Sequence, residues 1–369
     1  MEVNLYSLAI TEPFNGTAAS SQNRLSFVSE FQADDPPPIV ITERTFTTLF
    51  FITFTSILGL LIRLGLTFTF TLPDGQHSIP LLYSQFVGCF LMGIFIESKP
   101  LLIYRHSSLY GSLASGLCGS ITTFSSWNLG LFQGLSGYNS AMNEFFPTFH
   151  QSLVNGTAQI LFTVGLAYSG LLFGQSVGKS LKRRFWDKNY VHASLVPEPV
   201  NFFPSPTRIL VANRKDFAER VLFVFLFAGI ISMIALGLIY QGNQIILSSG
   251  FAPIGAGLRY LLSRLNNRSS RFPIGTFIAN VVGSGVLAIV IYFLQFNEGS
   301  RGSLTQQLLL KAIADGFCGC LSTVSTLMVE LDSFQSHAPR LQYLGISIFT
   351  GQLLFLLLFW LPAILSIQK

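Results

Sequence analysis

Two stretches of this chain, set 200 residues apart, carry the same unusual pattern. Residues 114–131 read ASGLCGSITTFSSWNLGL, and residues 314–331 read ADGFCGCLSTVSTLMVEL. Gly116, Cys118, Gly119, Thr123 and Ser125 of the first recur as Gly316, Cys318, Gly319, Thr323 and Ser325 of the second. Each copy sets a glycine pair ahead of a run of hydroxyl side chains, inside an otherwise apolar segment. Glycine and hydroxyls weaken a helix, and lipid offers no partner to the backbone groups that a weakened helix releases. A helix broken beside a polar cavity resolves that conflict.

The membrane setting follows from composition. The chain is 50% hydrophobic and only 11% charged, whereas a soluble domain carries about 25% charged residues. Apolar runs of about 20 residues mark membrane spans. They fall at 46–70, 79–96, 108–133, 147–178, 220–240, 247–265, 273–296, 304–331 and 342–366. Residues 1–45 mix Asn, Ser, Thr, Glu and Asp with the Pro36-Pro37-Pro38 run, and read as a mostly disordered tail. The cysteines Cys89, Cys118, Cys318 and Cys320 all lie in spans and match no zinc spacing.

Nine spans place the two ends of the chain on opposite sides. Of the 22 Lys and Arg, the side away from the N-terminus holds Arg301, Lys311 and Lys369, Arg63 and Arg259 lie within spans, and the rest share the N-terminal side. They concentrate in the connection 179–219. The positive-inside rule makes the N-terminus cytoplasmic and the C-terminus external. The net charge of +5 is thus a matter of topology and implies no nucleic-acid partner. The repeat also extends beyond the twin motif. Gly59 and Arg63 match Gly255 and Arg259, and Gln85 with Gly88 matches Asn280 with Gly283. Residues 46–178 and 247–369 therefore read as two copies of one four-helix unit, with the span at 220–240 between them. One extra crossing inverts the second copy, an arrangement that places functional sites near the axis between the repeats.

The chemistry concentrates at the twin motif. Gly119 and Gly319 are the expected points of unwinding, where freed carbonyls attract cations and the next half-helix turns its N–H groups toward anions. Helical spacing would put Thr122, Ser125 and Ser126 on one face as a track of donors. Phe124 and Trp127 lie three residues apart, and an aromatic ring edge carries weak positive charge. Hydroxyl donors and ring edges without a lysine suit a small, strongly hydrated anion that must bind and then leave. The same residues also permit close helix packing. Arg63 and Arg259 lie toward the ends of their spans, where they either pack and snorkel or form an electropositive vestibule. Asn280 and its counterpart Gln85 either donate to an anion or bond to a neighbouring helix. Asp315 replaces Ser115 and is either a titrating carboxylate or an exposed charge at a helix start.

GLCGSITTFSSW and GFCGCLSTVSTL resemble the G-x-C-G-x-x-T-T-F-S-T-F signature of the Fluc/CrcB fluoride channels. The paired Gly-xxx-Arg and the Asn-xx-Gly of the seventh span match as well. The resemblance covers about residues 46–366. It implies the fused eukaryotic form, the FEX fluoride exporters, in which one chain is equivalent to the antiparallel bacterial dimer. The implied fold is all-α and integral to the plasma membrane: nine transmembrane helices as two inverted four-helix repeats, joined by one linker helix, with a broken third helix in each repeat. The implied function is passive fluoride export through two antiparallel pores, with lipid as the only other partner. The implied cofactor is a central sodium held by backbone carbonyls, here those of Gly119, Thr122, Gly319 and Ser322. The implied polar tracks comprise Thr122, Thr123, Ser125 and Ser126 in one copy and Ser322, Thr323, Ser325 and Thr326 in the other.

The chain departs from the signature at the pore rings. Phe124 keeps the first phenylalanine, but its counterpart is Val324, and the second position holds Trp127 and Leu327. On the resemblance, one pore joins Phe124 to Leu327 and the other joins Trp127 to Val324. The expectation is one conducting pore, the one using Phe124 and Asn280, and one degenerate pore. Two rival readings are a proton-coupled transporter, for which Asp315 is the only candidate, and a membrane protein that merely packs. An enzyme is not expected, because no nucleophile–base pair or metal cluster falls in the spans.

Overall fold

The computed structural model describes residues 45–69, 81–106, 108–136, 138–139, 144–145, 149–186, 221, 224, 227–235, 237–239, 244–268, 272–296 and 303–367. The tail as far as Arg44 and the 187–219 part of the basic connection lie outside these residues. Apart from a two-residue strand pair, Tyr138–Asn139 with Glu144–Phe145, the described regular structure is helical.

The first copy opens with α1 (Thr45–Thr69) and α2 (Leu82–Glu97), followed by the short α3 (Lys99–Arg105). Its third span is broken into α4 (109–121) and α5 (Phe124–Ser136), and α6 (Phe149–Leu181) completes it. A short helix, α7 (Phe227–Ile239), crosses the region of the expected linker. The second copy comprises α8 (Gln244–Ser263), α9 (Ile274–Phe296), a broken pair α10 (304–321) and α11 (Ser325–Ser333), and α12 (337–367).

Among the described residues, six helices are long and apolar enough to cross a membrane. Three of the nine expected spans fall short. The expected span at 79–96 becomes a helix of 16 residues, about 24 Å long at 1.5 Å per residue, against a hydrocarbon core of about 30 Å. The one at 108–133 is not among the six, although its equivalent at 304–331 carries the same kind of break and is, and the one at 220–240 is described only in part. The outward faces carry exposed Phe54, Leu58, Leu161, Phe162, Phe349 and Leu365, as expected where hydrocarbon replaces water as solvent. The protein is a multi-pass membrane protein.

Small residues set the helix contacts. A Cβ on Gly174 of α6 would lie 2.0 Å from the Phe90 carbonyl of α2, so only glycine permits this approach. One apolar cluster gathers Cys89 and Met92 of α2, Phe124 and Trp127 of α5, Leu171 of α6, Val324 of the second break, and Leu327, Met328 and Leu331 of α11. A second joins Phe132 to Leu287, Phe355 and Phe359. The two clusters place the broken helices at the middle of the bundle, with the long helices around them.

Both broken spans share one internal form. Each runs through a π-helical stretch, Ser112–Cys118 or Ile313–Cys318, into a single α-turn, Gly119–Ile121 or Gly319–Leu321. The helix then stops at an extended residue. Thr122 has φ −89° and ψ 148°, and Ser322 has φ −84° and ψ 154°. Gly119 and Gly319 themselves are helical, with φ −69° and −66°. The unwinding therefore occurs three residues later than expected, at the hydroxyl residues. These side chains can satisfy backbone groups that the broken helix leaves open.

Candidate functional site

The two breaks meet. Thr122 Oγ1 lies 3.1 Å from Thr323 Oγ1 and 3.1 Å from Ser325 Oγ. Ser322 Oγ lies 3.2 Å from Thr123 Oγ1 and 2.8 Å from Ser125 Oγ. Each break also caps the half-helix of the other copy. The Ser325 and Val324 amides donate to Thr122 Oγ1 at 3.1 and 3.3 Å, and the Ser125 amide donates to Ser322 Oγ at 2.9 Å. An N-cap of this kind stabilises a helix by about 1 kcal/mol. Here it does so across the repeat, so neither half-helix is complete without the other copy.

This geometry changes the expected track. Thr122 is extended, so it does not share a helical face with Ser125 and Ser126. Thr122, Thr123, Ser125, Ser322, Thr323 and Ser325 are fully buried and bonded to one another. Ser126 and Thr326 are half-buried, and lead away from that knot. The centre is a closed hydroxyl network with two more accessible hydroxyls at its margins.

Asn280 and Gln85 hold the breaks from the neighbouring helices. Asn280 Oδ1 accepts from the Thr323 amide at 2.8 Å, and its Nδ2 donates to the Thr323 carbonyl at 3.2 Å. Gln85 Nε2 donates to the Thr123 carbonyl at 2.7 Å, but Gln85 Oε1 is buried without a hydrogen-bond partner. The two amides thus occupy equivalent places and only Asn280 is satisfied at both ends. Phe124 and Trp127 meet edge-on at 5.6 Å, and Val324 and Leu327 join the same buried cluster.

Arg63 and Arg259 do not snorkel. Each is only 3% exposed and reaches the opposite copy. Arg63 Nη1 donates to the Gly319 carbonyl at 2.7 Å and to the Ser120 carbonyl at 3.0 Å, and its Nη2 donates to the Asp315 carbonyl. Arg259 Nη1 donates to the Gly119 carbonyl at 2.7 Å and to the Ser322 carbonyl at 3.2 Å, and its Nη2 donates to the Ser115 carbonyl. The glycines make room for this exchange. A Cβ on Gly119 would stand 2.4 Å from Arg259 Nη2, and one on Gly319 would stand 2.5 Å from Arg63 Nη2. The reason for glycine is close approach of a guanidinium, not backbone freedom. The π-helical stretch beside it turns out the Ser115 and Asp315 carbonyls that the arginines use.

Asp315 is half-buried in its π-helical stretch rather than exposed at a helix start, and its Oδ2 accepts from Gln244 Nε2 at 2.8 Å. A second acidic group escaped the sequence reading. Glu330, near the end of α11, accepts from Asn266 Nδ2 at 2.8 Å, from Tyr343 O–H at 2.7 Å and from Thr276 O–H. The available signal was a lone carboxylate in the apolar run LMVEL, at the place held by Gly130 in the first copy. Among the described residues no cluster of His, Cys, Asp and Glu could hold a metal, and all four cysteines are free and buried.

Residues 50–174 and 246–359 match the family described as CrcB-like protein, Camphor Resistance (CrcB). The two segments coincide with the two copies. The chain is 28% identical over 308 residues to Fluoride export protein 1 of Candida albicans, covering 79% of this chain and 73% of that protein. It is 25% identical over 318 residues to Fluoride export protein 1 of Saccharomyces cerevisiae, covering 76% and 84%. It is also 41% identical over 88 residues to Fluoride-specific ion channel FluC 1 of Staphylococcus aureus, covering 23% and 64%. No solved structure matches it.

Proposed function

We infer the function from one premise: the chain belongs to the CrcB-like family. The protein is a membrane channel that exports fluoride down its electrochemical gradient, and it is not an enzyme. The observation that carries this reading is the pair of broken helices capped by each other's hydroxyls, a centre built only when both copies are present. The relatives bearing fluoride export and fluoride channel names support the ion. Fluoride is small and strongly hydrated, and hydroxyl donors with ring edges can replace part of its water without trapping it.

The finer reading goes with this. Nine transmembrane helices form two inverted four-helix repeats, so that one chain does the work of an antiparallel dimer. The reciprocal reach of Arg63 and Arg259 supports that symmetry. The N-terminus is cytoplasmic and the C-terminus external, as the Lys and Arg distribution suggests, and the membrane is the plasma membrane, as the resemblance to fluoride exporters implies. One pore combines Phe124 with Leu327 and uses Asn280. The other combines Trp127 with Val324 and Gln85 and is degenerate.

The test is reconstitution of the full chain in liposomes with a fluoride electrode and chloride as competitor. Wild type is expected to pass fluoride selectively. Phe124→Ile is expected to slow efflux at least about tenfold, the weight of one lost contact of about 1.4 kcal/mol in the path. Val324→Ala is expected to change it by less than about twofold. Equal losses would reject the division of labour between the pores.

A central sodium fits the donor set, which is all backbone oxygen. Gly119, Thr122, Gly319 and Ser322 would hold it, since a carbonyl that accepts one arginine N–H keeps a second lone pair. Bound there, it would supply a fixed charge joining the two breaks. The thermal midpoint is then expected to rise with sodium and not with choline. Identical midpoints in the two salts would remove sodium from the centre.

A further inference from the structure

One face of the half-helix α5 carries Phe124, Asn128 and Phe132, each a turn apart. That face packs on α12 of the other copy. The Phe132 ring lies 5.9 Å from that of Phe355 and 6.1 Å from that of Phe359. One turn earlier on both helices, the fully buried Asn128 lies against Gly351 and Gln352. A Cβ on Gly351 would overlap Asn128 Nδ2, so the glycine is the notch that admits the amide. Gln352 Nε2 donates to the Asn128 main-chain carbonyl at 2.9 Å and also to Asn128 Oδ1. A main-chain carbonyl only accepts, so the glutamine must present its nitrogen there, and the asparagine atom beside that nitrogen must be the oxygen. The Asn128 Nδ2 end is thereby turned away from Gln352, and it is buried without a hydrogen-bond partner. A buried donor left open is costly unless something accepts from it. The equivalent position in the second copy is Met328, which has no such donor and sits in the apolar cluster with Ala167 and Leu171 of α6.

We propose that Asn128 Nδ2 is an anion-binding donor one turn beyond Phe124, with Gln352 as its positioning residue. The proposal rests on the reading of the protein as a fluoride channel and adds a site beyond the break, on one side of the bundle only. The oxygen of the amide is already engaged by Gln352, so the end left open is the one that donates, and its ligand is an anion rather than a cation. Phe124 precedes Asn128 on its face and Phe132 follows it, which sets the donor between apolar layers. A hydrogen bond is stronger in such surroundings than in water. An amide carries no full charge, however, so it can replace part of the ion's water and still release the ion. The donor belongs to the half-helix that keeps Phe124, and the half-helix with Val324 has methionine in its place. The inequality of the two copies thus extends past the rings to the next turn of the helix.

Three variants of the full chain test this in liposomes, each first shown to be monodisperse by size exclusion. Asn128→Leu keeps the shape of the side chain and removes the donor. Because Nδ2 has no partner in the protein, an apolar group of that shape is nearly neutral for folding, and the thermal midpoint in fluoride-free buffer is expected to stay at the wild-type value. The half-saturating fluoride concentration for efflux is expected to rise about 10- to 100-fold, the weight of one hydrogen bond to a charged group. Gln352→Met keeps the packing and loses the hold on the amide, and is expected to raise that concentration about threefold. Met328→Leu, the control at the equivalent position, is expected to stay within about twofold of wild type. An unchanged fluoride dependence in Asn128→Leu overturns the proposal, and is the result if water alone fills the donor. So does a Met328→Leu loss as large as that of Asn128→Leu. If Asn128→Leu does not fold, wild-type fluoride dependence in Gln352→Met overturns it. A wild-type chain that passes no fluoride would instead remove the channel reading itself.

Discussion

Replacing Gly119 with alanine is expected to abolish fluoride efflux and to destabilise the folded protein by about 3–5 kcal/mol, the cost of parting a buried charge from its partners. The new Cβ would stand 2.4 Å from Arg259 Nη2 and 2.5 Å from its Cζ, so the guanidinium must shift. The shift strains or breaks its bonds to the Gly119, Ser115 and Ser322 carbonyls, which hold a cation buried among apolar helices. Gly319→Ala is expected to cost as much stability, because its Cβ meets Arg63 in the same way. Gly65→Ala is the control, since nothing lies within 4 Å of that position. Thermal unfolding in detergent and liposome efflux measure the two effects. Wild-type stability in Gly119→Ala would mean that the glycine does not exist to admit the arginine.

The second large effect is expected at Asn280. Asn280→Asp is expected to reduce efflux about a hundredfold, while Gln85→Glu reduces it less than about threefold. The aspartate loses the Nδ2 bond to the Thr323 carbonyl and faces that carbonyl with a negative oxygen. It also puts charge of the permeating ion's own sign beside the second break. Glu at position 85 loses one comparable bond, at 2.7 Å to Thr123, but in the pore read as degenerate. Efflux rates for the two variants, compared at equal reconstituted protein, decide between them. A larger loss for Gln85→Glu would assign conduction to the other pore.

Several features of this site were legible in the chain itself. The twin motif pointed to two broken helices, because glycine and hydroxyls weaken a helix and lipid offers no partner to the backbone groups released. The location of the breaks was misjudged. Glycine is the usual weak point of a helix, yet Gly119 and Gly319 remain helical and the chain opens at Thr122 and Ser322. The acceptors for the Ser125, Val324 and Ser325 amides are hydroxyls 197, 202 and 203 residues away, and local propensity carries no information about them. Glu330 was overlooked for a similar reason. Its three donors come from Asn266, Thr276 and Tyr343, which no spacing rule groups together.

The arginines show the division most clearly. Read alone, Arg63 and Arg259 are charges toward the ends of spans that either pack and snorkel or form an electropositive vestibule. Packing carries each of them instead into the glycine of the opposite copy. By itself the chain determined that it crosses a membrane, that it contains one unit twice, and that each unit has a helix too weak to run unbroken. Those properties are written in composition and in repeats of local pattern. Only the tertiary structure decided that the two weak helices cap one another and that the glycines are there for guanidinium groups. Both depend on which atoms of two distant segments come within hydrogen-bonding distance, and that distance is set by the packing of the surrounding helices.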